Sequence, residues 1–137
     1  MLFRSIVEQY DALILDEMKI EKMDIVLVDA PCSGLGIIRR KPDIKYNKSL
    51  ESLNELIPIQ NEILAVSSKY VKPGGTLMYS TCTLNVHENQ EVVENFLALN
   101  SEFELENIME QNYLTLFPSV DQTDGFFIAK LKKKMTL

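Results

Sequence analysis

Two short apolar segments, each followed at once by a polar turn that contains a cysteine, constrain the fold of this chain more than any other feature. Residues 25–28 lead into the sequence DAPCSG at residues 29–34, and residues 76–79 lead into STCT at residues 80–83. Continuous apolar runs of this length are typical of buried parallel strands. Ligands of open α/β sheets bind at the carboxyl ends of such strands. We therefore expect both thiols and the carboxylate of the first turn to project towards one crevice.

The length and composition exclude several classes of protein. The 137 residues suffice for one domain with one core, and the net charge of -6 argues against binding nucleic acid over the whole surface by charge alone. Two cysteines do not make the disulfide framework of a small secreted protein. No apolar stretch reaches the ~18 residues of a membrane-spanning helix, and the first residues lack a signal-peptide core. We expect a reduced, cytoplasmic setting and no membrane partner.

The hydrophobic pattern predicts an α/β layout that closes with an antiparallel hairpin. One helix is predicted between the two cysteine turns, with Pro58 either at its first turn or at a kink, and a second helix follows Asn85 and Glu88, which fit a capping arrangement. Pro73-Gly74-Gly75 is interpreted as the stop of the first helix. Strands are predicted at residues 5–10 (weakly), 24–28, 76–80, 103–108 and 126–131.

The residues of the two turns leave alternatives open. Cys32 and Cys82 are either small buried hydrophobes or, with a lowered pKa, nucleophiles. Asp29 either caps its turn or pairs with a ring nitrogen or an amine of a ligand, and Asp11 follows the first weak strand in the same manner. A zinc site is disfavoured, because His87 is the one histidine and no paired Cys-x-x-Cys spacing occurs.

The long loop at residues 29–48 is basic within an acidic chain. It carries Arg39, Arg40, Lys41, Lys45 and Lys48, with Asp43 as the one acid among them. Loops of this length in a compact domain are usually functional or disordered. The loop is therefore either a solvated surface or a patch that contacts phosphates.

Taken together, these motifs resemble the RNA cytosine-5 methyltransferase family. They are most similar to its bacterial branch that modifies small-subunit ribosomal RNA, often called the Sun or Fmu family. The resemblance covers residues 24–131 and rests on DAPCSG at 29–34, RRKPDIK at 39–45, KPGGT at 72–76, STCT at 80–83 and DGFF at 124–127.

The resemblance implies a Rossmann-like S-adenosylmethionine-dependent methyltransferase fold and a covalent mechanism. Cys82 would attack C6 of a flipped-out cytosine in ribosomal RNA, and Asp29 would bond and protonate N3. S-adenosylmethionine would supply the methyl group for C5, and Cys32 would help to remove the C5 proton. The cofactor contacts implied are Asp11, Asp29, Ala30 and Pro31, and the substrate contacts implied are Pro31, Ser33, Gly34, Arg39, Arg40 and Lys45.

The chain departs from the family at its start. The family's Gly-rich cofactor loop and its ribose-binding acid would lie before residue 1, so we expect a fold truncated at the N-terminus that lacks the first strands. Residues 1–137 would be the C-terminal part of a catalytic domain, inactive unless another chain completes it. The missing first strand would sit beside residues 24–28, so we also expect an exposed apolar edge and self-association, or a rearranged N-terminal segment.

Three other functions compete with this hypothesis. An amino-group methyltransferase needs no nucleophile, and the second cysteine argues against it. A non-catalytic half domain that binds RNA or protein is favoured by the missing cofactor loop and disfavoured by the pair of cysteines. A thiol redox protein would need a Cys-x-x-Cys motif, which the sequence lacks.

Overall fold

Two parallel strands follow the two apolar segments of the sequence. In the computed structural model, which describes residues 4–47 and 49–135, β1 spans Met23–Asp29 and β2 spans Val71–Thr81. Val28 lies opposite Tyr79, and Asp29 lies opposite Ser80. The predicted strands at 24–28 and 76–80 are thus confirmed, and both cysteine turns leave the sheet at the same end.

The rest of the sheet is antiparallel. Strand β5, Phe126–Lys133, pairs with β2 on one side and with β3, Phe103–Glu106, on the other, so that the strand order is β1-β2-β5-β3. The short strand β4, Leu114–Leu116, also pairs with β5 and lies outside the strands predicted from the sequence. The predicted antiparallel hairpin at the end of the chain is confirmed.

One long helix joins the two parallel strands, as predicted. This helix has Pro58 in its interior, which corresponds to the alternative of a long helix that contains the proline. Among the described residues, no helix is long and apolar enough to cross a membrane. The α-helices are α1 Ile44–Asn47, α2 Leu50–Ser68, α3 Gln90–Leu99 and α4 Pro118–Asp121, and the 3-10 turns are Glu17–Lys19, Leu35–Ile37 and Val86–Glu88.

The glycine pair lies inside β2 and does not end a helix, so that prediction is wrong. Helix α2 already ends at Ser68, and β2 begins at Val71. The pairing with β1 shifts register between Met23 and Ile25, as in a β-bulge, and Gly74 has a φ of 75°. Glycine adopts this left-handed conformation without strain, which explains the residue type at the bulge.

The weak strand predicted at residues 5–10 is also wrong. Residues 4–10 have no regular secondary structure, and Ile6 and Val7 are almost fully exposed. A strand needs a neighbour to which its amides and carbonyls can bond. In the described part of the chain, no strand pairs with this segment or with the outer edge of β1. The exposed side chains of β1 include Ile25 and Leu27, at 67% and 64%.

The core lies between the sheet and helices α2 and α3. Helix α3 buries Val92, Val93 and Phe96, as its sequence pattern predicts. Phe96 meets Phe103 of β3 edge-on, with ring centroids 5.3 Å apart. Tyr79 meets Phe127 in the same manner at 6.4 Å, so the core extends beneath the end of β2 that carries Cys82.

We predict that Leu64→Ala lowers the free energy of unfolding by about 2–5 kcal/mol, because it opens a cavity between α2 and the sheet. Leu64 is fully buried, whereas Leu99, near the end of α3, is 85% exposed. Leu99→Ala is therefore the matched control and should change the free energy by less than about 0.5 kcal/mol. Urea unfolding followed by circular dichroism measures both; equal losses in the two variants would contradict this description of the core.

Candidate active site

The two cysteines meet at the end of the parallel strand pair. The Sγ atoms of Cys32 and Cys82 lie 3.2 Å apart, and both thiols are free and partly buried. Cys82 directly follows β2, while Cys32 lies three residues past β1. The amide of Ala30 donates to the carbonyl of Ser80 at 2.9 Å, which continues the strand pairing into the first turn. The two thiols, which we expected to project from the strand ends, therefore lie in contact with each other.

Asp29 is the last residue of β1 and lies at the same end of the strand pair as the two cysteines. Its side chain is largely exposed, and Oδ1 accepts a hydrogen bond from the Ser80 hydroxyl at 3.1 Å. One carboxylate oxygen is thus held by the neighbouring strand. The position suits a group that bonds a ligand in the crevice.

Burial of the Cys32 thiol, together with the hydrogen bond and the charge of Cys82, raises the pKa of Cys32 to about 12. At neutral pH, Cys32 is therefore protonated and can donate its S–H towards the sulfur of Cys82.

A buried hydrogen-bond network lies beneath the thiols and joins the residues that follow them. The Ser33 hydroxyl lies 2.8 Å from Oγ1 of Thr83 and donates to Oε1 of Glu88 at 2.5 Å. The Ser33 amide donates to Oε2 of Glu88 at 2.8 Å. Ser33 and Gly34 are both buried, so these two predicted substrate contacts lie below the surface of the crevice.

Glu88 is the common acceptor of this network, and the sequence pattern does not identify it as part of the site. The pattern predicts a carboxylate at a helix start, but the structure places Glu88, fully buried, at the end of a 3-10 turn that Asn85 caps through its bond from the His87 amide. Glu88 also accepts from Nε2 of Gln60 at 2.9 Å and from Nδ2 of Asn85 at 3.1 Å. Its partner Ser33 lies 55 positions away, so no local pattern could reveal the contact.

The turn that carries Cys82 is held on both sides of the cysteine. Asn89 accepts from the Thr81 hydroxyl at 2.5 Å and donates to the Thr83 carbonyl at 2.9 Å. The Tyr79 hydroxyl donates to the main-chain carbonyl of Glu88 at 2.7 Å. Burial, with the nearby charge of Glu88, raises the pKa of Tyr79, so this donor keeps its proton.

The predicted basic loop is tied to the DGFF segment. Arg40 Nε lies 2.7 Å from Oδ2 of Asp124, and Arg39 lies 3.7 Å from Oδ1. Both arginines and Lys45 are exposed. Lys48 lies outside the described residues. The loop is not wholly irregular, since it includes one 3-10 turn and α1.

Two glycines allow this loop to approach Cys82. The Gly36 amide donates to the carbonyl of Cys82 at 2.9 Å, and the Gly125 amide donates to the Gly36 carbonyl at 2.8 Å. A Cβ on Gly36 would overlap the carbonyl of Gly125. Only glycine permits so close an approach, which brings the base of the arginine segment next to the second cysteine turn.

A cleft of about 210 Å³ opens beside Asp29 and Pro31. Asp11, the other predicted cofactor contact, is exposed next to this cleft, and its Oδ1 accepts from the Leu13 amide at 2.9 Å. Ala30 is buried. Small-molecule sites usually measure about 300–1,000 Å³, so the cleft is only part of such a site. Its lining residues are Ala12, Leu27, Val28, Asp29, Pro31, Ile63 and Ser67.

Comparison with known proteins gives matches along almost the whole chain. A family model described as "16S rRNA methyltransferase RsmB/F" matches residues 2–132. The "Probable ribosomal RNA small subunit methyltransferase B" of Bacillus subtilis (strain 168) is 43% identical over 126 residues, which are 83% of this chain and 28% of that protein. "Ribosomal RNA small subunit methyltransferase F" of Escherichia coli O9:H4 (strain HS) is 39% identical over 129 residues, 85% of this chain and 27% of that protein. The chain thus spans less than a third of the length of these relatives.

Solved structures show the same fold. A methyltransferase homolog protein from Pyrococcus horikoshii superposes with a TM-score of 0.70 at 30% identity, over 85% of this chain and 41% of that one. The structure of NSun6 from Pyrococcus horikoshii with SFG superposes with a TM-score of 0.71 at 29% identity, over 94% of this chain and 34% of that one. The predicted Rossmann-like methyltransferase fold is confirmed.

We predict that iodoacetamide alkylates Cys32 of the native chain at about pH 8 roughly fiftyfold more slowly than an ordinary thiol, because the raised pKa leaves little thiolate. The rate should keep rising with pH towards the pKa of about 12. Cys82→Ala removes two of the three causes that raise this pKa and should accelerate the reaction. Peptide mass spectrometry measures each site, with the urea-unfolded chain as the control. A native Cys32 as reactive as the unfolded one would contradict the assignment.

Proposed function

The chain belongs to the 16S rRNA methyltransferase RsmB/F family, and from this we propose that its crevice transfers a methyl group to C5 of a cytosine in small-subunit ribosomal RNA. The observation that carries the proposal is the contact between Cys32 and Cys82, at 3.2 Å, at the end of the strand pair where Asp29 is exposed. Methyl transfer to a ring carbon needs a nucleophile, an acid and a base, and these three side chains can supply them.

Cys82 is the proposed nucleophile. The Cys82 thiol loses its proton to the Asp29 carboxylate as the sulfur bonds to C6 of a flipped-out cytosine, which pushes electron density towards C5 and N3. Asp29, at the rim of the crevice, bonds and protonates N3 and so stabilises the activated ring. S-adenosylmethionine, when bound, supplies the methyl group that C5 takes up. Loss of the C5 proton then lets the bond between sulfur and C6 break and restores the aromatic ring.

Cys32 is the group proposed to help remove the C5 proton. Its pKa of about 12 makes it a poor base in the resting site. Burial is the largest cause of the shift and persists, but the charge of Cys82 is lost and its hydrogen bond is weakened once the Cys82 sulfur is bonded to carbon, so the Cys32 thiol can release its proton to water before it takes up the C5 proton. The pKa of Cys32 therefore falls at the step that needs a base. The contact between the thiols supports this order of events.

The cleft beside Asp29 and Pro31 is proposed as one wall of the cofactor site. NSun6 from Pyrococcus horikoshii is solved with SFG, an analogue of S-adenosylmethionine, and shares this fold. The cleft fits the group in part, because it offers a carboxylate and an apolar wall but only about 210 Å³. We assign Asp11 to the edge of this wall. Polypeptide outside residues 1–137 would supply the opposite wall, so these residues would be the C-terminal part of a catalytic domain.

The basic loop is proposed to contact the RNA backbone. Arg39, Arg40 and Lys45 are exposed, and Asp124 holds the arginine pair close to the crevice. Arginine binds phosphate through several parallel hydrogen bonds, which suits this position. Ser33 and Gly34, in the same loop, are buried, so we do not propose them as direct contacts of the RNA. A ribosomal substrate agrees with the expected cytoplasmic location.

The arrangement disfavours the competing functions. An amino-group methyltransferase has no use for a nucleophilic sulfur, whereas here two thiols lie in contact at the carboxyl ends of the parallel strands. A domain that only binds RNA or protein has no need for a buried network that fixes both cysteine turns. The free thiols belong to separate turns with no Cys-x-x-Cys motif, which argues against a dedicated redox protein.

The proposal predicts the behaviour of a chimera in which this chain replaces the matching segment of the Bacillus subtilis relative. We expect the chimera to produce 5-methylcytidine in 16S ribosomal RNA, measured by mass spectrometry of the digested RNA. Cys82→Ser should lower turnover by about 10³-fold or more, because the nucleophile is lost. Cys32→Ser should accumulate a protein–RNA adduct, because release of Cys82 is impaired.

Glu91→Gln is the matched control for these variants. Glu91 lies exposed on α3 and pairs with His87, away from the thiols, so turnover should not change. A chimera that methylates RNA equally well with Cys82→Ser would refute the covalent mechanism. A folded, cofactor-binding chimera without methylation of cytosine would refute the proposed reaction.

We also propose that the outer edge of β1 pairs with a second strand, most simply that of another copy of the chain. Sedimentation equilibrium should therefore show self-association of the isolated chain. Leu27→Lys places a charge on the exposed apolar strand and should shift the equilibrium towards monomer. Val120→Lys, at a residue 75% exposed in α4, is the control and should have no effect. A monodisperse wild-type monomer would contradict the pairing.

A further inference from the structure

Glu88 is a buried carboxylate to which the proposed reaction gives no direct role. It is fully buried, and within residues 4–47 and 49–135 no ion pair involves it. A buried carboxylate is costly unless hydrogen bonds compensate it. Here the Ser33 amide, the Ser33 hydroxyl, Gln60 and Asn85 all can donate to its two oxygens. A pocket made of donors suits a group that only accepts.

These donors hold the turn that carries Cys32 on both sides of the cysteine. Ser33, just after it, gives both its amide and its hydroxyl to Glu88. Pro31, just before it, has its carbonyl bound by Nε2 of Gln60 at 2.8 Å, and the same nitrogen donates to Glu88 at 2.9 Å. The backbone at Cys32 is therefore fixed with Glu88 as the shared acceptor.

The same carboxylate is connected to the turn that carries Cys82. The Ser33 hydroxyl, bound to Glu88, also contacts the hydroxyl of Thr83, the residue after Cys82. Glu88 precedes Asn89, whose side chain holds Thr81 and Thr83. The two cysteine turns, 50 positions apart in the chain, thus share one support.

We propose that Glu88 is a positioning residue that sets the distance and the orientation between the thiols of Cys32 and Cys82. It touches neither thiol and acts through Ser33, Gln60 and the backbone of both turns. The importance of this distance for catalysis rests on the proposed function, because the base must stand next to the nucleophile at the step in which the C5 proton leaves. The positioning itself is a property of the chain alone and can be tested without RNA.

Thiol–disulfide exchange of the isolated chain reports the relative position of the thiols. Glutathione disulfide oxidises the pair: the Cys32–Cys82 bond forms, two molecules of glutathione thiol are released, and the two thiol protons pass to them. The equilibrium constant gives the effective concentration of one thiol at the other, which depends on how well the fold holds them together. Titration in glutathione buffers of varied ratio, followed by acid quench and mass spectrometry, measures it.

We expect Glu88→Gln to lower this constant about tenfold, since one acceptor oxygen becomes a donor that faces other donors. Ser33→Ala, which removes the hydroxyl between the turns, should lower it in the same direction. Glu91→Gln, an exposed neighbour on α3, should leave it unchanged. Phe103→Leu destabilises the core at β3, which β5 separates from β1 and β2, and should also leave the constant unchanged while the chain is folded, so that loss of stability alone is separated from loss of positioning.

In the chimera, Glu88→Gln should lower kcat and leave KM for RNA within about twofold, because the residue does not touch the substrate. The proposal would be overturned if the folded Glu88→Gln and Ser33→Ala variants both had the same equilibrium constant for glutathione exchange as the wild type. Glu88 would then be a purely structural residue. The glutathione result stands whether or not the chimera methylates RNA, so failure of this inference and failure of the proposed function are distinguishable.

Discussion

The register between β1 and β2 is the constraint on which the site depends. Val28 opposite Tyr79, and Asp29 opposite Ser80, make the two strands end at the same level. Because the strands are parallel, the chain leaves both of them on one side of the sheet, and the amide of Ala30 continues the pairing for one further residue. A shift of one residue would turn the side chains after β1 to the other face and separate Cys32 from Cys82.

The thiols rest on polar groups that are almost all paired. Glu88, Asn89, Ser33 and Thr83 are buried, and each makes hydrogen bonds within the network. Networks of this kind are stable only when their members are satisfied, and they then favour one arrangement over its alternatives. The apolar core between the sheet, α2 and α3 supplies the stability that such a network does not provide. The two cysteine turns therefore hold a defined geometry, although neither turn is part of a helix or a strand.

Local patterns in the sequence were sufficient for the strands and for the chemistry of their ends. The apolar runs before Asp29 and Ser80 predict both parallel strands, and the cysteines follow them at once. Contacts between distant positions could not be predicted in this way. Glu88 has the pattern of a residue at a helix start, and its bond to Ser33 exists only after the sheet has formed.

Two further differences between the predicted and the observed secondary structure have physical causes of the same kind. The strand predicted at residues 5–10 has β-forming residues, but within residues 4–47 and 49–135 no neighbouring strand bonds to it, and strand formation depends on the neighbour more than on propensity. The Gly74-Gly75 pair has the composition of a helix stop, but Ser68 already ends α2 and the glycines serve the bulge in β2. In both segments, pairing across the sheet decides the structure and local composition does not.

The identity of the sulfur that bonds the RNA tests the proposed covalent mechanism most directly. RNA that contains 5-fluorocytidine traps the adduct, because fluorine at C5 blocks the proton loss that releases the enzyme. Incubation with the chimera and S-adenosylmethionine, followed by protease digestion and mass spectrometry, identifies the peptide that carries the nucleotide. We expect the nucleotide on the peptide that contains Cys82. A nucleotide on the peptide with Cys32, or no adduct from a chimera that methylates unmodified RNA, would contradict it.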